Sequence, residues 1–271
     1  LIITLTENTN FKRNFKNFFG IFKSKVDVEN KTFKNIKIKN VFINKKVTSS
    51  YIKKIVGNDL KVVLCPKNLK LLKNKDFKIY KPSKEFLFNI CKNAFFKILD
   101  AAKLDPEKLN LAVFDLQGHC VGLLKRLIFY CKNLTVISNN LSVYEKEQNY
   151  LLKNYGATFF LSNNLNYLFK EKIIFAPSKI ESKLPLKKSS IVFTSEKSNF
   201  PLSGTIYKKY KFRKIRSLEN IFPKEISREY FLASLYDVYK IKKIKNIEPN
   251  LYFDGFKYIS WKDLVKKIKF Y

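Results

Sequence analysis

Apolar and polar positions follow two rhythms along this chain. From residue 109 the rhythm is regular. The runs LNLAVF, NLTVIS, ATFFLS, KIIFA and SSIVFTS are short and almost continuously apolar, and they read as five strands. Between them, GHCVGLLKRLIFYC, the stretch opening at Ser142 and LNYLFK have helical spacing. Ser142 and Glu145 stand at capping-box separation at the head of a helix through Tyr155, and Gly156 follows where glycine commonly ends a helix. Strand–helix alternation of this kind predicts a parallel sheet covered on both faces, hence an α/β fold.

Before residue 109 the units are shorter. FKNIKIKNVFI, KVVLC and FKIY read as strands, and SSYIKKIVGN as a short helix. PKNLKLLKN reads as a second helix, opened by Pro66. Residues 83–102 then carry the strongest helical signal. Ser83 can cap that helix, and Phe86, Leu87, Ile90, Cys91, Ala94, Phe95, Ile98, Leu99 and Ala102 form a wide apolar stripe. After Ser195 the regularity ends. SREYFLASLYDVYK (227–240) reads as a helix, and Ser260 opens a last helix that is expected to return to the N-terminal domain.

A length of 271 residues suits two domains, and 46% hydrophobic residues supply packed interiors. The net charge of +32 changes the picture less than its size suggests. All but five of the 54 basic residues are lysines, and the wealth of Lys, Asn, Ile, Phe and Tyr matches AT-rich codon usage. Non-specific attraction of polyanions at low salt follows from the charge alone. The excess is uneven: residues 1–82 net +15, whereas residues 109–170 net +3. Cys65, Cys91, Cys120 and Cys131 form no C-x-x-C pair, and the chain has a single histidine, so a zinc site is not expected. Buried free thiols in a reducing cytosol are the reading, and the localisation expected is cytoplasmic. No apolar run reaches the roughly 18 residues of a membrane span, and LIITLTENTNFKRN lacks the pattern of a secretory signal.

Candidate chemistry gathers at LAVFDLQGHCVG. A dinucleotide turn needs glycine at the strand end, glycine where backbone meets pyrophosphate, and a small residue where helix meets strand. Gly118 and Gly122 lie one helical turn apart, with Gly122 expected to allow close helix–sheet packing, but the full G-x-G-x-x-G is absent. Asp115 occupies the strand end, where it would repel a phosphate. About 20 residues on, where a ribose-reading acid is expected, stand Ser138, Asn139 and Asn140. His119 could act as a general acid or base, with Asp115 four residues earlier as its partner.

The stretch LAVFDLQGHCVGLLKRL, followed by LTVISNNLS, KIIFAPS and KKSSIVFTS, resembles the Rossmann domain of the shikimate dehydrogenase, glutamyl-tRNA reductase and methylene-tetrahydrofolate dehydrogenase group. Those proteins have an N-terminal α/β catalytic domain, a long connecting helix and then the nucleotide domain. Residues 33–82, 83–102 and 109–195 follow that order. Val121-Gly122 is similar to the folate enzymes' glycine turn, and Asn139 falls near the asparagine after the second strand of the other two enzymes. The arginine that normally comes next is Asn140 here, and no catalytic lysine motif matches a position in residues 1–82.

Together these readings give an N-terminal α/β domain (1–82), a connecting helix and turn (83–108), a Rossmann-like domain (109–200) and a basic C-terminal segment with helices (201–271). The resemblance implies NAD or NADP as cofactor, held by Gly118, His119, Gly122, Ser138, Asn139 and Asn140. It implies a nucleotide-binding, degenerate dehydrogenase-like protein. A second reading is a nucleic-acid-associated protein. YKKYKFRKIR (207–216) interleaves Tyr207, Tyr210 and Phe212, which could stack on bases, with Arg213, Lys214 and Arg216, which could meet phosphates; the same alternation also fits an edge strand whose lysines discourage pairing. A third reading is a non-catalytic structural or interaction protein. Oligomeric state is open.

Overall fold

The computed structural model describes residues 1–7, 26–43, 49–57, 62–66, 79–196, 198–213, 215–223, 225–241, 244 and 246–269. The chain forms two compact units, each built from two segments. One comprises residues 1–86 and 214–245, the other residues 87–213 and 246–271.

The first unit holds a four-stranded sheet: β1 (Ile2–Glu7), β2 (Val26–Phe33), β3 (Ile36–Ile43) and β4 (Val63–Leu64), in the order β2-β3-β1-β4. β1 runs parallel to β3 and β4, and β2 is antiparallel to β3. Helix α1 (Ser49–Val56) links β3 to β4 in sequence. Ile3, Leu5, Val41, Ile43, Ile52 and Val63 share one core cluster. The other face of β1 is buried too, so Thr4 needs a partner there, and its hydroxyl donates to Asn40 Oδ1 at 2.8 Å. The helix Arg228–Tyr239, far along the chain, belongs to this unit. Its Asp237 accepts from the Tyr80 hydroxyl and from both the backbone N–H and the hydroxyl of Ser83. Of the strand expected at FKIY, Ile79 makes an isolated bridge to Val63; the helix expected from Pro66 lies outside the described residues.

Helix α2 (Lys84–Ala102) opens as expected, with the Phe86 N–H donating to Ser83 Oγ. From Ile90 to Ala102 its stripe is buried, and Phe95 stacks on Phe175 at 4.8 Å. The elements that follow are β5 (Asn110–Phe114), α3 (Val121–Leu127), β6 (Asn133–Ile137), α4 (Leu141–Tyr155), β7 (Phe160–Ser162), β8 (Ile173–Phe175), β9 (Ile191–Phe193) and β10 (Thr205–Tyr207). Their order is β10-β9-β8-β5-β6-β7, and every neighbouring pair is parallel. The chain enters at the centre on β5, moves outward to β7, then returns across β5 and moves outward the other way. That is the doubly wound, Rossmann-like order, with its reversal between β5 and β8. The fold is therefore α/β, a small N-terminal α/β unit and a Rossmann-like parallel sheet, as the strand pattern predicts.

Several local expectations are corrected. The sheet has six strands rather than five. β10 is only three residues long and follows the point where the regular pattern stops. Helix α4 starts at Leu141, so Ser142 lies inside it and does not cap it. LNYLFK is a 3-10 turn, capped by Asn164. The segment 201–271 is divided between the units. Residues 214–245, with α5 (Arg228–Tyr239), fall in the first, while residues 201–213 and 246–271 fall in the second. There β11 (Lys209–Lys211), β12 (Leu251–Phe253) and β13 (Tyr258–Ser260) form an antiparallel sheet. Helix α6 (Trp261–Lys269) opens at Ser260, whose hydroxyl accepts the Asp263 N–H. This last helix belongs to the Rossmann-like unit rather than to the N-terminal one.

Candidate functional site

In open parallel sheets ligands bind at the carboxyl ends of the strands, beside the reversal of strand order. Here that places the candidate site at the turn 115–120, after β5. Asp115 does not face outward from this turn. It is fully buried, with Oδ2 accepting the Cys120 N–H and the Tyr144 hydroxyl, each at 2.6 Å. Oδ1 accepts the Gln117 N–H at 3.2 Å. The expected repulsion of a ligand by an outward carboxylate is thus corrected: hydrogen bonding to three donors turns Asp115 inward. Burial and the charge of Asp115 push the Tyr144 phenol far above its ordinary range, so it remains a donor. The Cys120 thiol is raised for the same reasons. Tyr144 was not found from the sequence, although helical spacing puts it on the inner face of α4 with Leu151.

The other candidates surround this brace. Gly118 has φ +88°, and a Cβ there would meet Asn140 Nδ2 at 3.1 Å. Asn140 reaches from the end of β6 to the turn, its side-chain amide donating to the Gln117 carbonyl at 3.3 Å. Ser138 is buried and its hydroxyl accepts the Asn140 N–H. Asn139 is exposed beside it. The structure therefore brings Gly118, Ser138 and Asn140 together. His119 is exposed, and the three partners of the Asp115 carboxylate are Cys120, Gln117 and Tyr144, so the expected His119–Asp115 pair is not formed. Gly122 is exposed and a Cβ there would meet nothing within 4 Å. It does not serve the close helix–sheet packing expected of it.

This arrangement supplies an internal anion at the head of α3. Free N–H groups at a helix start favour negative charge. The Asp115 carboxylate takes that role on the Cys120 N–H. A pyrophosphate at the same turn would be a second anion meeting donors already used. The residues present do not fit one.

Elsewhere in this unit a groove of about 320 Å³ is lined by Lys92, Asn93, Phe96, Gly122, Arg126 and Glu248, among others. The Arg126 guanidinium lies over Phe96, 4.0 Å from the ring centre, and donates to Asp100 at 2.8 Å. Among the described residues no group of three or more His, Cys, Asp or Glu could hold a metal. No helix among them is long and apolar enough to cross a membrane.

The base-stacking platform expected at 207–216 is overturned. Tyr207, Tyr210 and Phe212 are buried, and the Tyr210 hydroxyl lies 2.9 Å from the Thr194 carbonyl and 2.8 Å from that of Tyr207. Arg213 and Arg216 are exposed; Lys214 lies outside the described residues. All four cysteines are free and buried, as expected. Burial pushes the Cys65 thiol up to about 11 and those of Cys91 and Cys131 up to about 12.

No protein-family model matches this chain, and no curated protein matches it in sequence. Among solved structures it is similar to L-tryptophan dehydrogenase from Nostoc punctiforme, at a TM-score of 0.33 and 13% identity over 85% of this chain and 65% of that one. It is also similar to the ligand-free 5-ketofructose reductase of Gluconobacter sp. strain CHM43, at a TM-score of 0.28 and 12% identity over 70% of this chain and 77% of that one. The chain thus spans about 65% of the length of the tryptophan dehydrogenase. The Rossmann-like assignment rests on the strand order itself.

Proposed function

We propose that this chain is a nucleotide-binding protein of dehydrogenase-like layout, in which NAD or NADP binds weakly and is not turned over. The observation that carries this reading is the Asp115 carboxylate seated on the Cys120 N–H inside the first turn of a doubly wound sheet. The strand order supplies a crevice, and the brace removes the pyrophosphate cradle from it. The resemblance in layout to the shikimate dehydrogenase, glutamyl-tRNA reductase and methylene-tetrahydrofolate dehydrogenase group supports NAD(P) as the nucleotide class. Ser138 and Asn140 are tied to each other, and Asn140 to the turn, which leaves Asn139, Gly118 and His119 as the candidates to meet a nucleoside.

Calorimetric titration with NAD, NADP and adenosine tests this reading. The expected result is that both dinucleotides bind no more tightly than adenosine, because the phosphates gain no donors. Dinucleotide binding a hundredfold tighter than adenosine would show a working site and overturn the reading. Absence of binding by all three would reduce the turn to a chain reversal and overturn it equally.

A further inference from the structure

At the opposite, amino-terminal edge of the same sheet, aromatic side chains stand exposed. Phe160 opens β7, and Tyr167 and Phe169 lie on the 3-10 turn before β8. They are 46%, 42% and 52% exposed. Phe160 and Tyr167 meet edge to face at 4.5 Å, which fixes both rings. The Lys187 ammonium lies 5.1 Å from the centre of the Phe169 ring. Lys170 and Lys188 are exposed on either side. Phe169 and the lysines are near one another because β8 and β9 are paired: the Ile191 N–H donates to the Lys172 carbonyl and the Ser190 hydroxyl to the Glu171 carbonyl, and Phe160 on β7 joins them through its contact with Tyr167. The one acid in residues 160–172 and 187–191, Glu171, is buried.

We propose that Phe160, Tyr167 and Phe169, with Lys170, Lys187 and Lys188, form a binding edge for single-stranded nucleic acid. Exposed ring faces accept unpaired bases without regard to sequence, and the lysines meet the backbone between them. Half-seated rings favour bases over a lipid surface. A side chain that enters lipid protrudes as Phe256 does, at 96% exposed, whereas Phe160 is held by Tyr167 and Phe169 lies under Lys187. The edge lies away from the crevice after β5, so it stands or falls independently of dinucleotide binding.

The chain's net charge of +32 makes a charge-neutral variant the decisive test. Fluorescence anisotropy would follow a short oligothymidylate, heparin and phosphatidylserine vesicles, each with wild type, Phe169→Ala and Lys170→Ser/Lys187→Ser/Lys188→Ser. The stacking of one base contributes about 1–3 kcal/mol, so Phe169→Ala should weaken oligothymidylate binding roughly 5- to 150-fold while leaving heparin binding within twofold. The lysine variant should lower the log–log salt slope for oligothymidylate by about 2. Equal oligothymidylate binding by wild type and Phe169→Ala overturns the proposal, because only diffuse attraction then remains. A greater loss on vesicles than on oligothymidylate overturns it in favour of a lipid surface. Phe169→Leu, which keeps an apolar side chain without a flat ring, guards against misfolding. It should lose oligothymidylate affinity with unchanged thermal stability, and retention of full affinity by a folded Phe169→Leu also overturns the proposal.

Discussion

The Tyr144 hydroxyl, from the first turn of α4, donates to Asp115 at 2.6 Å, at the end of β5. The second helix of the Rossmann-like sheet is thereby fastened to the turn that opens the first. Tyr144→Phe leaves the buried carboxylate short of one donor. It should destabilise the protein by about 1–3 kcal/mol in urea denaturation. Asp115→Gly removes all three bonds and frees the Cys120 N–H. The outward carboxylate read from the sequence would make this variant a better dinucleotide binder. The inward one makes tighter binding come with lost stability, because the Cys120 N–H is freed only by removing three hydrogen bonds to a buried group. Titration with NAD alongside denaturation separates the two outcomes.

Glu171 is buried, with Oε1 accepting from Thr135 at 2.8 Å and Oε2 without a hydrogen-bond partner. Burial raises its carboxyl above the ordinary 4.5. The folded protein therefore holds this proton more tightly than the unfolded chain does. The stabilisation is complete below the unfolded value and is lost as pH rises through the folded one. Glu171→Gln keeps the acceptor for Thr135 and removes the ionisation. It should be more stable than wild type at pH 7, with the difference vanishing below about 4.5.

Two glycines should respond oppositely to alanine. At Gly122 a Cβ has open space, and alanine favours a helix by about 1 kcal/mol. At Gly204, φ is +88° and a Cβ would lie 2.3 Å from the Ser190 carbonyl oxygen. Gly204→Ala should cost about 2–5 kcal/mol through backbone strain and overpacking. Thermal melts of both variants check the contrast.

The four buried thiols should react slowly with a thiol reagent in the native protein and completely after unfolding without reductant. Fewer than four reacting groups in the unfolded chain would reveal a disulfide.

The parallel sheet was legible because β5, β6, β8 and β9 are nearly continuous apolar runs. β10 was not, because TIY stands between Gly204 and Lys208-Lys209 with no longer apolar run around it. The alternation in YKKYKFR admits both an edge strand and an exposed stacking platform, and the strand is what forms. Lys209 and Lys211 point outward on β11 and Tyr210 inward, which is the period-two signature of a half-buried strand rather than of an exposed platform. The direction of Asp115 was illegible for a different reason. It depends on Tyr144, 29 residues away, and a sequence read locally does not place a carboxylate against a distant phenol. Asn140 illustrates the same point. Its Nδ2 donates to Gln117 and its Oδ1 faces the Ser142 hydroxyl rather than a backbone N–H, so the helix that follows begins without a side-chain cap.

The first unit takes residues from before and after the whole parallel sheet. On a ribosome, β1 therefore emerges more than 200 residues before α5, the helix whose residues complete its unit. The N-terminal sheet must wait, incomplete, while the Rossmann-like strands are made. Contacts this distant in sequence slow folding. Synthesis stalled before α5 would leave β1 and β4, the strands it packs on, without that cover. Such a chain would be a natural client for a chaperone during translation.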